Sequence, residues 1–143
     1  MDRDNASFER TMSSLEEAFG RSPIPIQLPI GEEKDFTGVV NILTNKAYQY
    51  SRDGSGKAQE IPVPAALQEE ANRTREKLIE MVAESSDALM EKFFADGTLE
   101  PAEILEGLKA SVFQRSIVPV LCASATLNIG AAQVLDAIVD LLP

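Results

Sequence analysis

The first twenty residues carry a single apolar stripe at helical spacing. Its four large side chains recur at intervals of four, three and four residues: Phe8, Met12, Leu15 and Phe19. This period is typical of an amphipathic α-helix that packs one face against a core. We expect Asp4 or Asn5 to cap the start of this helix and Gly20 to end it.

Between residues 22 and 64 the apolar period changes to two. Residues 24–30 alternate isoleucine or leucine with proline or glutamine, which predicts one extended strand with one apolar face. Because Pro25 and Pro29 have no amide hydrogen, we expect this part of the strand to have an unpaired side or to lie at a sheet edge. Three further strands are predicted, at residues 37–43, 46–50 and 59–63. Their short connections favour an antiparallel sheet.

The helical period returns at Pro64 and predicts one long helix that ends near residues 96–97. Its apolar face is formed by Leu67, Ala71, Leu78, Val82, Leu89 and Phe93. Another helix is expected to begin at Glu100 and Pro101, because proline is favoured in the first helical turn.

The last segment differs from the sheet that precedes the helices. Residues 117–122 are apolar at every position, as in a strand from the interior of a parallel sheet. A loop at residues 123–130 and a final helix follow. In that helix we expect five apolar side chains to be buried: Val134, Leu135, Ile138, Val139 and Leu142.

These elements predict an α/β fold that contains an α+β insert. Residues 1–20 and 116–143 form the edge of one α/β domain, and residues 21–115 form a small antiparallel sheet packed with helices between them. With 143 residues, the chain is long enough for a hydrophobic core.

Composition narrows the classes of function. The net charge of −10 disfavours direct contact with nucleic acid and favours a basic protein partner. The sequence contains no histidine, so serine–histidine and cysteine–histidine nucleophile pairs are excluded within it. One cysteine, no apolar run of membrane-spanning length and no leader-like segment indicate a cytoplasmic protein.

Acidic residues dominate the helices between residues 80 and 106, where eight carboxylates accompany one cation, Lys92. Two interpretations are open: a solvated outer face, which periodicity alone favours, or a docking surface for a basic partner. Residues 54–57, GSGK, resemble part of a phosphate-binding loop. That motif needs glycine at the position of Ser51 and serine or threonine at that of Ala58, so we interpret this segment as a hairpin loop.

Five stretches, in order and spacing, resemble bacterial elongation factor G or its close paralogues. They are MDRDNASF at 1–8, PIQLPIG at 25–31, FTGVV at 36–40, DALMEKF at 87–93 and VPVLCASA at 118–125. In that family an insert, the G-prime subdomain, interrupts the GTPase domain between its last two guanine-reading motifs. The resemblance therefore implies a fragment that comprises this insert and the C-terminal edge of the GTPase domain.

The resemblance also implies a role in reading GTP. Asp2 would accept hydrogen bonds from the guanine N1–H and 2-amino groups, and the Ala125 amide, in a loop shaped by Ser124, would contact the guanine O6. The phosphate-binding loop and the magnesium ligands are absent from this sequence, so we expect no GTP hydrolysis by the chain alone. Ala123, Leu127 and Ile129 replace a glycine and two lysines of the family pattern, which favours a paralogue.

In the family, the insert binds the C-terminal domain of the ribosomal stalk protein. The resemblance therefore favours docking on the ribosome over a merely solvated acidic face, with four candidate contacts: Glu76, Glu80, Glu84 and Glu91. The implied parent is a GTPase that drives translocation or a related ribosomal step. The alternative is a free-standing acidic protein-interaction module with no nucleotide role.

Overall fold

The computed structural model describes residues 1–142, and it contains five α-helices and six strands within that range. The helices are α1 (Phe8–Phe19), α2 (Ala65–Ala83), α3 (Asp87–Asp96), α4 (Pro101–Phe113) and α5 (Ala131–Leu141). The strands are β1 (Pro23–Pro25), β2 (Gln27–Ile30), β3 (Gly38–Asn41), β4 (Lys46–Tyr50), β5 (Ala58–Ile61) and β6 (Val118–Val120). A single 3₁₀ turn spans Glu33–Asp35.

The larger sheet is antiparallel, with the strand order β2-β3-β4-β5. Leu28 pairs with Val40, and Val40 pairs with Ala47 on the next strand. The edge position of β2 agrees with its proline content, as predicted. Together with a separate parallel pair of strands, this sheet confirms the predicted α/β class with an α+β portion.

The second sheet consists of β1 and β6, which pair in parallel between Pro23 and Val118 and between Pro25 and Val120. The prediction of one continuous strand over residues 24–30 is therefore wrong. Ile26 is the point of change: its N–H donates to Val120 O at 3.0 Å, and its carbonyl accepts from Ile42 N at 3.0 Å. The chain thus leaves one sheet and enters the other within one residue.

The main core lies between the four-stranded sheet and the helices α2 and α4. Its centre is formed by residues that are at most 1% exposed: Leu28, Val40, Leu78, Val82 and Leu108. A second, smaller cluster contains Phe36, Val39, Tyr50, Cys122 and Ile129. This second cluster joins the sheet to the loop that precedes α5.

The long helix predicted after Pro64 is divided into two helices, α2 and α3. The chain turns after Glu84, and the Ser86 hydroxyl caps α3 by accepting from Leu89 N at 3.2 Å. Helical periodicity continues across the break, so the apolar pattern alone did not reveal it. The predicted start of α4 is confirmed, and the Glu103 carboxylate accepts from Glu100 N at 2.9 Å in a capping box.

The burial predicted for the last helix is wrong. Leu135 is 63% exposed and Val139 is 77% exposed, and Ile138 and Leu142 are also exposed. Among the described residues of α5, only Leu141 is buried. Nothing within residues 1–142 covers this face, which accounts for the difference.

Candidate functional site

Asp2 and Ser124 lie in contact although 121 residues separate them in the sequence. The Ser124 side chain hydrogen-bonds the Asp2 carboxyl and holds its pKa below the ordinary value. Ser124 is 2% exposed, whereas the Asp2 side chain keeps 15% of its surface accessible. Met1 N donates to Ala123 O at 3.0 Å and joins the same two segments. The result is an ionised carboxylate beside an ordered loop.

The loop at residues 124–129 is closed by its own backbone. Ser124 N donates to Ile129 O at 2.9 Å, and Ile129 N donates to Ser124 O at 3.0 Å. Ser124 Oγ also accepts from Leu127 N at 3.1 Å. Asn128 adopts φ 52°, a left-handed conformation that asparagine tolerates. Ala125 lies exposed at the outside of this turn.

The segment that carries Asp2 is held by two acidic residues that sequence reasoning missed. Glu33 N donates to Met1 O at 2.9 Å, and its carboxylate accepts from Asn5 N at 2.8 Å. The Glu32 carboxylate accepts from Phe8 N in the first turn of α1. A carboxylate is favourable there because helix N-termini carry unpaired donors and partial positive charge. No periodicity marks such contacts in the sequence.

The N-cap of α1 also differs from the prediction. Ser7, rather than Asp4 or Asn5, occupies the cap, and its hydroxyl accepts from Arg10 N at 3.4 Å. Asn5 instead adopts φ 65° in the turn before the helix. Gly20 ends α1 as predicted, with φ 68°.

A buried glutamine supports the strand end below the site. Gln27 is 1% exposed; its Oε1 accepts from Cys122 N at 3.2 Å, and its Nε2 donates to Gln133 Oε1 at 3.2 Å. Gln27 therefore connects β2 to the end of β6 and to α5. Burial raises the pKa of the neighbouring Cys122 thiol to about 12, which makes it a core residue and not a nucleophile.

The four acidic residues predicted to bind a partner are all exposed, but they do not form one uniform surface. Glu76 and Glu80 line a groove between α2 and α3. Glu84 is paired with Arg21 at 2.8 Å. Glu91 lies on α3 outside the residues that line the groove. Two of the four carboxylates, those of Glu76 and Glu80, therefore lie in one groove, whereas the carboxylate of Glu84 is already paired with a cation.

Two kinds of site are absent from residues 1–142. No cluster of three or more histidine, cysteine, aspartate or glutamate side chains is arranged to hold a metal ion. No helix in this range combines the length and the apolar character needed to cross a membrane.

Comparison with known proteins yields a structural match. No protein-family profile matches the chain. A protein of known crystal structure from Thermus thermophilus is similar over 97% of this chain, with a TM-score of 0.86 and 25% sequence identity. The two proteins therefore share a fold over nearly the whole of this chain. The chain spans 20% of the length of the Thermus protein.

The fold brings the predicted nucleotide-site residues together. Asp2 and Ser124 come together at one end of the β1–β6 pair, with Ala125 exposed beside them. The division into residues 1–20, 21–115 and 116–143 stays a prediction. The β1–β6 pairing shows that residues 23–25 contact the last segment directly.

Proposed function

We propose that the chain is part of a translational GTPase of the elongation factor G type, in which it supplies part of the guanine pocket and a docking subdomain for the ribosomal stalk. The observation that carries the nucleotide half of this proposal is the contact between Asp2 and Ser124. Two sequence motifs that are individually weak thereby share one site, as guanine recognition requires.

The chemistry of the contact fits a guanine base. An ionised carboxylate has two acceptor oxygens, which match the adjacent N1–H and 2-amino donors of guanine. Adenine lacks this donor pair. The Ser124 hydroxyl favours the ionised form of Asp2, and the exposed turn at Ala125 offers a backbone amide for the guanine O6. GTP is therefore the nucleotide proposed.

Hydrolysis would require phosphate and magnesium ligands from another part of a longer protein. We expect the isolated chain to show no GTP turnover above a buffer control. The coding region upstream of the Met1 codon provides a direct check. A phosphate-binding motif and an Asn-Lys pair immediately before Met1 would support the proposal, whereas a start codon with no such domain would favour the acidic interaction module.

Base selectivity tests the role of Asp2 itself. The measurement uses the full protein encoded by the gene that contains this sequence. In that protein, Asp2→Asn should lower the affinity for GDP at least tenfold and raise the affinity for xanthosine diphosphate. The reason is that an asparagine amide can donate to the 2-oxo group of xanthine but not accept from both guanine donors. Asp4→Asn, an exposed neighbour, is the matched control. Unchanged GDP affinity in the Asp2 variant would refute the assignment.

Stalk docking is the second half of the proposal, and Glu76, Glu80, Glu84 and Glu91 are its candidate residues. Their exposure and the net charge of −10 support a basic partner, such as the C-terminal domain of the stalk protein. Complementary charge mainly accelerates association, so binding should weaken as salt increases. The groove residues Glu76 and Glu80 are expected to contribute more than Glu84, because Arg21 already neutralises the latter.

A charge-reversal pair tests this surface. Glu76→Lys with Glu80→Lys should weaken binding to the stalk domain at least fivefold in a titration at low salt. Glu9→Lys with Glu17→Lys changes the net charge equally on the exposed face of α1 and serves as the control. If both pairs weaken binding equally, only the net charge of the chain matters. If neither pair weakens binding, the surface around Glu76 and Glu80 is merely solvated and does not bind the stalk domain.

A further inference from the structure

The loop between β4 and β5, residues 51–57, contacts the candidate guanine loop directly. Asn128 Nδ2 donates to Gly54 O at 3.3 Å. A Cβ atom at Gly56 would lie only 2.5 Å from the same Asn128 Nδ2. At the base of the hairpin, Tyr50 packs in the same apolar cluster as Ile129. These contacts join the two loops on one side, while most of residues 51–57 remain exposed on the other.

The hairpin loop has an internal structure that makes it a fixed support. Ser55 N donates to the Asp53 carboxylate at 2.9 Å, and Ser51 N donates to Lys57 O at 3.1 Å. Arg52 donates to Phe36 O at 3.2 Å and so attaches the loop to the segment after the 3₁₀ turn. Hydrogen bonds at both ends and within the turn limit its movement.

An apolar cluster lies beneath this contact. Tyr50, Cys122 and Ile129 pack together, and Ile129 is fully buried. Leu127 packs partly buried against the same cluster. A buried, close-packed cluster transmits displacement because it has few voids to absorb it. A shift of the hairpin loop should therefore move residues 124–129.

We propose that residues 51–57 position the Ser124–Ile129 loop against Asp2 and thereby set its selectivity for guanine, with Asn128 as the positioning residue. This inference rests on the proposed nucleotide site. It also gives a role to the GSGK segment, in which Gly56 permits close approach to Asn128.

Two glycines of the hairpin loop form a matched pair for the test. Gly54 and Gly56 both have positive φ, 76° and 70°, so alanine strains either backbone in the same way. A Cβ atom at Gly54 meets nothing within 4 Å, whereas one at Gly56 meets the Asn128 amide. Gly56→Ala should therefore displace the guanine loop, and Gly54→Ala should leave it in place.

Two readouts on the ¹⁵N-labelled chain separate this inference from the proposed function. Without nucleotide, Gly56→Ala should shift the amide resonances of residues 124–129 and raise the pKa of Asp2 by NMR titration, and Gly54→Ala should do neither. With nucleotide, the wild-type chain should respond to GDP and not to ADP, and Gly56→Ala should reduce that difference at least threefold.

Each outcome decides one of the two claims. Equal behaviour of the two glycine variants would overturn the positioning role, whether or not GDP binds. A wild-type chain that responds equally to GDP and ADP would reject the proposed guanine site and with it the selectivity part of this inference. In the Asn128→Gly background, which keeps the left-handed backbone and removes the amide, Gly56→Ala should lose its specific effect. A persistent effect there would show that Asn128 does not transmit the displacement.

Discussion

Asp2 shows how a neutral neighbour adjusts an acidic group. Its carboxylate is mostly covered, and burial raises its pKa, yet the hydrogen bond from the Ser124 side chain has the larger effect and lowers it. The same hydroxyl oxygen accepts from Leu127 N, so one serine orders both the carboxylate and the loop.

Replacement of Ser124 by alanine should therefore raise the pKa of Asp2, which an NMR titration of the side-chain carboxyl would measure. A lowered native pKa stabilises the fold above the unfolded-state value, and this contribution is lost as pH falls through the native pKa. The variant should consequently lose less stability on acidification than the wild type. Asp53, whose pKa is lowered mainly by Ser55, is an internal control and should not change. An unchanged Asp2 pKa would contradict the assigned hydrogen bond.

Cys122 should be inert in the native protein. With its pKa raised to about 12 by burial, the thiolate is scarce at pH 8, and the side chain is 2% exposed. An aromatic disulfide reagent should therefore modify the native chain at least a hundredfold more slowly than the urea-unfolded chain. Comparable rates at pH 8 would show that the strand end opens readily.

The limits of sequence reasoning are clearest at individual residues. Asp2 and Ser124 were identified because they stand in recognisable motifs. Glu33, Gln27 and Asn128 were missed, because they act through long-range hydrogen bonds that leave no period in the sequence. Such partners depend on the tertiary path of the chain, which local patterns do not specify.

For helices and strands, periodicity predicted which type of element forms more accurately than where that element is interrupted. The strand β4 has the predicted bounds, because turns delimit Lys46–Tyr50 on both sides and its apolar residues Ala47 and Tyr50 are buried. The segment at residues 24–30 has the same period throughout, yet at Ile26 the chain passes from the two-stranded sheet into the four-stranded sheet. A strand that changes partner keeps its alternation, so sequence alone does not reveal the change.

The contact between α4 and α2 depends on a glycine inside a helix. A Cβ atom at Gly107 would lie 2.5 Å from Val82 Cγ1 and 2.9 Å from Leu89 Cδ1. Alanine normally stabilises a helix interior by about 1 kcal/mol relative to glycine. Here we expect Gly107→Ala to destabilise the protein by about 1–3 kcal/mol, because overpacking displaces neighbouring side chains.

Urea unfolding of the Gly107 variant measures this effect. The control is Ala110→Gly on the exposed side of the same helix, which should cost about 1 kcal/mol through helix propensity alone. If Gly107→Ala stabilised the protein instead, the helices would have room to separate, and the close contact would not be a constraint.

At the scale of the whole molecule, the four-stranded antiparallel sheet and its connecting loops contact both halves of the candidate site. Glu32 and Glu33 bind the segment with Asp2, and residues 51–57 support the loop with Ser124. The connection was not predictable, because the sequence suggested an insert that merely separates two motifs. In the folded chain the intervening sheet and its loops contact each of them, so mutations there should affect the site without touching a ligand.

The same view explains the exposed apolar face of α5. Leu135, Val139 and Leu142 form an uncovered apolar stripe. On β6, Val118 is 42% exposed, and this strand pairs with β1 on one edge, which leaves its other edge open. Contiguous apolar surface and an open strand edge both favour association. We expect the isolated chain to self-associate as its concentration rises, which sedimentation velocity would measure.

Leu135→Glu with Val139→Glu should abolish this association by placing charges on the stripe, and thermal stability should change little because both side chains are more than 60% exposed. Ala132→Glu with Ala102→Glu adds the same charge at other exposed positions and controls for general repulsion. If the control pair also prevents association, then association depends on net charge and not on the apolar stripe. Association that survives in the α5 variant would show that another exposed apolar surface makes the contact, such as Phe113 on α4 or the open edge of β6.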